Sequence, residues 1–359
     1  MKVLLITPSN IKLMPYVNNY KRYFEELAVE FDIVNWDRRK TEEVSSFKYA
    51  DKKNGDSRNA FDYFRYSLFI KKVLKRNKYD KIIVFGIQLA AYLGSILTKD
   101  FNGKYIIDIR DYNRTIKYVD LTKVFNSSSF VTISSPGFRE WLPSTNNFIV
   151  NHNFRHGYSS KESEGTIKRN QSSKINVSYI GTIRDLKQNM SLLSALKNSN
   201  DYLISYHGKS MLGEKLKSYA NDNMISNVQF SGEYSSKDEE DLYRSAVLIN
   251  ILLGKSINSN TLMPNRIYSA AYFGKPIIAL KGSYMASQIE KYNLGLTIDN
   301  FIDLNMNIKS YIESLDEDIY IKGRNQFLLD VRKDEVTFKR HLLSFLSSKD
   351  KYRYKSEDN

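Results

Sequence analysis

The stretch MPNRIYSAAYFGKPIIAL, from Met263 to Leu280, decides the fold. Pro264 suits the first turn of a helix, where its missing N–H costs nothing. Ile267, Ala270 and Ala271 fall on one helical face. Gly274 supplies the stop, because glycine takes positive φ without steric penalty. Pro276–Leu280 then reads as a buried strand. The helix start at Pro264, Asn265 and Arg266 offers free N–H groups, the positive end of the helix dipole and a cation, which is chemistry for an anion. A plain helix–glycine–strand unit has the same pattern, and taken alone the residues favour that reading.

The same alternation extends along the chain. Short apolar runs occur at Val3–Ile6, Ile33–Trp36, Ile82–Phe85, Tyr105–Ile109, Phe130–Ile133 and Phe148–Val150. A second series follows at Ile175–Ile180, Tyr202–Tyr206, Val228–Phe230, Val247–Leu253, Pro276–Leu280 and Gly295–Ile298. Helical patterns lie between them, as at Tyr16–Val29, Phe61–Leu74, Gln188–Lys197 and Asp238–Ala246. Short Val/Ile-rich runs separated by helices imply parallel sheets covered on both faces.

The polar stretch GYSSKESEGTIKRNQSS has no apolar period and reads as a linker. The expected organisation is an N-terminal Rossmann-like domain over 1–156, a linker over 157–173 and a second Rossmann-like domain over 174–334. A helix and a disordered tail follow over 335–359. Two doubly wound α/β domains of this kind imply a cleft between them.

Composition narrows the function. The 359 residues hold 42% hydrophobic and 26% charged side chains, as a globular protein does. With no Cys there is no disulfide framework and no thiolate metal site, which fits a cytoplasmic protein. His152, His156, His207 and His341 show no metal spacing, so no metal is expected. No apolar run is long enough to span a membrane, and MKVLLITPSN reads as a first strand rather than a signal peptide. The net charge of +14 is concentrated, with +10 in residues 1–160. An excess of this kind suits an anionic partner or a merely solvated lysine-rich surface.

Met263–Leu280 resembles the donor-site helix of the group 1 glycosyltransferases of GT-B fold. Pro264, Arg266, Tyr268, Ala271, Gly274, Lys275 and Pro276 match that pattern in register. The glutamates of the family pattern fall at Ser269 and Thr261 here. The run GTIRDLKQN after Ile175–Ile180 resembles the loop that grips the donor diphosphate. Gly181 and Lys187 match, Thr182 takes the arginine position, and Arg184 stands two residues later. SYHGKS places His207 and Gly208 at a similar strand-then-glycine turn. QFSGEY and DLYRSAVLINILL resemble further family segments in the family order. The resemblance implies a nucleotide-sugar donor held by Gly181, Thr182, Arg184, Lys187, His207, Gly208, Pro264, Asn265, Arg266 and Ser269. It also implies no bound metal or other cofactor.

In the N-terminal half, KYIIDIRDYNR ends a strand with Asp108, Arg110 and Asp111. Charged groups at the carboxyl edge of a parallel sheet sit where ligands bind. They are the candidate catalytic residues, and a buried Asp–Arg pair tying the loop is the alternative. A front-face retaining transfer needs no protein nucleophile, whereas an inverting one needs a base such as Asp108 or Asp111. Retention is the expectation. Asn10, after the first strand, and His152, after Phe148–Val150, are the candidate acceptor contacts. Ser134–Leu142 reads as a capped helix with Trp141 in the core.

Residues 57–81 interleave aromatics with cations, and Phe61, Phe64 and Leu68 fall on helical spacing. The expectation is that this apolar stripe packs inward with the cations in solvent. The alternative is docking on anionic lipid at the inner face of the cell membrane, which suits a lipid-linked acceptor. The whole reads as a bacterial surface-polysaccharide glycosyltransferase acting on a glycan or lipid-linked saccharide. An epimerase of the same fold and a non-catalytic partner subunit are the rivals. Nucleic-acid binding rests on charge alone and is not expected.

Overall fold

The computed structural model describes residues 1–41, 45–53, 55, 57–145, 147–154, 174–235 and 237–348. The expected linker over 157–173 and the charged tail after 348 lie outside the described residues. The chain divides into two compact units, Met1–His152 with Asp334–Asn359, and Asn153–Lys333.

The first unit is built on a seven-stranded sheet. Its strands are β1 (Lys2–Ile6), β2 (Glu30–Trp36), β3 (Phe47–Tyr49), β4 (Lys81–Phe85), β5 (Tyr105–Ile109), β6 (Phe130–Ile133) and β7 (Phe148–Val150). Its helices include α1 (Val17–Glu26), α2 (Ala60–Arg76), α3 (Ile87–Asp100) and α4 (Thr122–Asn126). The order is β3-β2-β1-β4-β5-β6-β7, all parallel. Strands β4 and β5 are buried along their whole length, which is why they read as unbroken apolar runs. The sequence pattern missed β3, a three-residue edge strand that is half exposed and shows no buried run.

The second unit holds a six-stranded parallel sheet, β8 (Ile175–Ile180), β9 (Tyr202–His207), β10 (Val228–Gly232), β11 (Leu248–Asn250), β12 (Ile277–Leu280) and β13 (Gly295–Ile298). Its helices are α5 (Leu186–Ala195), α6 (Met211–Asp222), α7 (Glu239–Ser245), α8 (Ile257–Thr261), α9 (Asn265–Tyr272), α10 (Tyr284–Lys291) and α11 (Leu304–Glu313). The order β10-β9-β8-β11-β12-β13 reverses direction between β8 and β11. Ligands of doubly wound sheets bind outside the carboxyl ends of the strands at such a reversal. Apolar clusters cover the sheet, one including Ile267, Ala270 and Ala271 of α9, the other Leu192 and Leu193 of α5.

The last helix, α12 (Glu317–Ser347), serves both cores. Phe327 and Val331 pack in the second unit, and Phe338, Leu342, Phe345 and Leu346 pack in the first.

Two expectations about local packing are corrected. Pro136–Glu140 is a short 3₁₀ turn capped by Ser135, not a full helix. Trp141 is half-buried, with its ring set edge-on to Tyr112 at 5.3 Å. The larger correction concerns α2. Its buried face is Tyr63, Tyr66, Ile70 and Val73, whereas Phe61, Phe64 and Leu68 point outward. Both stripes are apolar, so hydrophobic periodicity alone does not choose between them. The tyrosines win because they close around Trp36, at ring separations of 5.2 and 4.8 Å. The Tyr66 hydroxyl also donates to the carbonyl of Thr7, 2.8 Å away, which a phenylalanine could not do.

Candidate functional site

The site of the second unit begins where β8 ends. Gly181 has φ of +126° and Gly208, after β9, has +137°. The Gly181 N–H donates to the carbonyl of His207 at 2.8 Å, and the Gly208 N–H donates to that of Gly232 at 2.7 Å. A Cβ on Gly208 would stand 2.0 Å from the Gly181 carbonyl oxygen, so only glycine permits this approach of strand ends. A Cβ on Gly181 would meet nothing within 4 Å, so that backbone is accessible on its open side.

The loop after Gly181 is fixed from beneath. The Tyr179 hydroxyl donates to the Thr182 carbonyl and accepts from the Arg184 N–H, both at 3.0 Å. The Asn189 amide donates to the carbonyls of Arg184 and Asp185, at 2.8 and 3.0 Å. Ser210 donates to the carbonyl of Ile183 at 2.7 Å, and Ile183 itself is buried. Thr182 and Arg184 are then exposed on a loop whose backbone cannot swing freely, and Lys187 is exposed just beyond it. Lys187 lies in the first turn of α5, where the helix dipole also favours an anion.

The start of α9 joins the same edge. The Arg266 guanidinium lies 3.9 Å from the centre of the Tyr179 ring and donates to the Asn250 carbonyl at 2.8 Å. Asn250 is fully buried and donates to Asn189 Oδ1, which also accepts from Tyr206. Arg266, the end of β11 and the loop after β8 are thus one connected unit at the strand-order reversal. Asn265 is exposed at the first position of the helix. Pro264 sits one place earlier than expected, at the N-cap, in an extended conformation.

The remaining donor candidates are buried. His207 is 5% exposed, and its Nδ1 lies 2.8 Å from the Ser231 hydroxyl. Burial lowers its pKa below the usual histidine value, so the ring is neutral near pH 7. Its Nε2 is a buried atom with no hydrogen-bond partner. Ser269 is buried beside Tyr243, and the Thr261 hydroxyl donates to the Ile257 carbonyl of its own helix.

In the first unit the structure selects the alternative reading for two of the three candidate catalytic residues. Asp108 is fully buried at the end of β5. Arg110 grips both its oxygens, and the Tyr20 hydroxyl donates to Oδ2 at 2.6 Å. Arg110 also donates to the Asn151 carbonyl and lies 4.6 Å from the Tyr16 ring centre. Burial opposes the charge on Arg110, but Asp108 beside it raises the pKa further above its usual value. A carboxylate so enclosed cannot reach a substrate as base or nucleophile. The pair ties β5 to β7, and only Asp111 of the three is exposed.

Asn10 and His152 are also structural. The Asn10 amide donates to Asp37 at 2.6 Å, and its carbonyl oxygen accepts from the N–H groups of Arg38 and Arg39. With 1% exposure it has no face left for an acceptor. His152 Nε2 lies 2.9 Å from Asp334 Oδ2, joining the end of β7 to α12. The scaffold of Tyr179, Asn189, Tyr206 and Asn250 was missed by sequence reasoning. The signal was an asparagine inside the apolar run VLINILL, where a polar side chain must find partners.

No family model and no curated protein sequence matches the chain. Solved structures do match in shape. The lipopolysaccharide outer core galactosyltransferase WaaB, in its apo form, superposes with a TM-score of 0.66 at 14% identity, covering 96% of this chain and 99% of that one. Anabaena Alr3699/HepE, solved with UDP and glucose, gives 0.60 at 15% identity, covering 97% and 100%. Sucrose-phosphate synthase from Thermosynechococcus elongatus gives 0.66 at 13% identity, covering 96% and 99%. The fold is therefore that of the GT-B glycosyltransferases, with a parallel-sheet α/β domain in each unit. Among the described residues no helix is long and apolar enough to cross a membrane.

Proposed function

We propose that this protein transfers a sugar from a nucleoside diphosphate donor to a glycan or lipid-linked saccharide, in bacterial polysaccharide synthesis at the inner face of the cell membrane. One observation carries the reading. The glycine-walled end of β8, the cations of the loop after it and the start of α9 are joined through Tyr179 at the reversal of strand order. Backbone N–H groups, Arg184 and Lys187 would hold the diphosphate there without a metal, and Asn265 would add a helix-start N–H. The GT-B fold supports the reading, as does HepE, whose structure contains UDP and glucose.

Burial of Asp108 removes one candidate base for inversion. Retention, with the leaving diphosphate assisting on the front face, needs no such residue. Asp111 is the exposed carboxylate left to meet the acceptor. A non-catalytic partner subunit is the second reading, favoured by Ser269 and Thr261 standing where a carboxylate pair would hold a ribose.

A thermal-shift screen of nucleotide sugars tests both readings. Stabilisation by one donor, followed by its turnover with a saccharide acceptor and an unchanged anomeric configuration in the product, supports retaining transfer. Weak or absent stabilisation by every nucleotide favours the partner subunit and removes the transferase reading.

A further inference from the structure

The outward face of α2 carries an exposed apolar stripe flanked by cations. Phe61, Phe64 and Leu68 are 58, 44 and 42% exposed and recur at helical spacing over about two turns. Their side chains form one patch: the Phe61 and Phe64 rings stack at 6.3 Å, and Arg65 lies 4.8 Å over Phe61. Lys72 and Lys75 continue the same stripe towards the C-terminal end, both exposed. The only acid of the helix, Asp62, is turned inward, where it caps the helix start and pairs with Lys53.

This pattern is not required by the fold. The helix already has a complete buried face in Tyr63, Tyr66, Ile70 and Val73. A second apolar stripe left in water is costly unless something covers it. The covering surface must accept aromatic groups at one end and four cations (Arg65, Lys72, Lys75 and Arg76) along the rest, with no anion offered in return. A globular partner would ordinarily meet mixed charges; a uniform stripe of this kind complements the headgroup layer of an anionic bilayer.

We propose that α2 lies flat on an anionic lipid surface, with Phe61, Phe64 and Leu68 at the headgroup–acyl boundary and Arg65, Lys72 and Lys75 on lipid phosphates. The assignment deepens the membrane part of the function proposed above, on which it rests, and does not depend on donor binding. It gives that part a surface, and it places the start of α2, after β3, nearest the lipid. That start is at the carboxyl edge of the sheet, the edge where ligands of such sheets bind.

Co-sedimentation of the full chain with vesicles tests it. Wild type should pellet with phosphatidylglycerol/phosphatidylcholine vesicles, should not pellet with phosphatidylcholine alone, and should be released by salt. Lys72→Gln with Lys75→Gln should weaken binding about thirtyfold, from roughly fivefold per cation near such a surface. Phe61→Ser with Phe64→Ser should weaken it by about tenfold or more. Both pairs are exposed, so melting and stabilisation by nucleotide should stay as in wild type; loss of nucleotide response in every protein would count against donor binding and not against this surface. Equal binding to both lipids, no binding, or variants that bind like wild type would overturn the proposal. So would a wild-type dimer in light scattering that the phenylalanine variant converts to monomer without any lipid binding, because a second copy would then be the occupant.

Discussion

The guanidinium of Arg266 rests 3.9 Å from the centre of the Tyr179 ring, while the hydroxyl of the same tyrosine holds the loop from Thr182 to Arg184. One side chain therefore sets the position of both cationic elements of the proposed donor site. Removing its hydroxyl leaves the ring under Arg266 but frees the loop. Tyr179→Phe should lose about 1–3 kcal/mol of stability in urea denaturation, because a carbonyl and an N–H lose their partner. Nucleoside diphosphate binding should weaken in the same protein, since the loop is no longer held in place.

The two strand-end glycines should respond differently. Both have positive φ, so alanine is strained at either. At Gly181 the strain stands alone, and a loss of about 1 kcal/mol is expected. At Gly208 the new methyl meets the Gly181 carbonyl at 2.0 Å, and the strand ends must part. Gly208→Ala should cost at least about 2 kcal/mol more than Gly181→Ala in the same denaturation experiment.

The two neighbouring aspartates should separate stability from activity. Asp108→Asn leaves the buried Arg110 charge without its counter-ion, and a loss of about 3–5 kcal/mol is expected. Asp111→Asn is at the surface and should leave the melting temperature within about 2 °C of wild type. Its effect should fall on transfer to the acceptor, read as a lower kcat/KM for acceptor with an unchanged KM for donor.

His207 gives a pH signature. Its folded pKa is depressed by burial, so the unfolded chain binds a proton before the folded one does. Stability should be fully present above about pH 6.5 and fall as pH drops from there towards the depressed value. His207→Asn should flatten the decline in unfolding free energy between about pH 7 and 5. An identical decline in the variant would place the titrating group elsewhere.

Much of this fold was legible because buried parallel strands carry unbroken apolar runs. Tyr105–Ile109 and Ile175–Ile180 have the bounds that the sequence suggested. The loop after β8 and the start of α9 were legible as anion chemistry, since glycine, lysine and a helix start announce themselves locally. Burial of side chains was not. Asp108, Asn10 and His152 look available in the sequence, yet each is satisfied by a residue far along the chain: Tyr20, Asp37 and Asp334. The face of α2 failed for a related reason. Two apolar stripes compete on that helix, and the winner is decided by packing around Trp36 and a hydrogen bond to Thr7, which no periodicity encodes.

The central claim is that cations after β8 and the start of α9 bind one diphosphate. Calorimetric titration of the full chain with UDP and with GDP, compared with Lys187→Ala, tests it most directly. The account predicts that the better ligand binds wild type and binds the variant about tenfold or more weakly, the loss expected for one charge-assisted contact. Adding Arg184→Ala should weaken it further. Equal affinity for wild type and both variants would contradict the account.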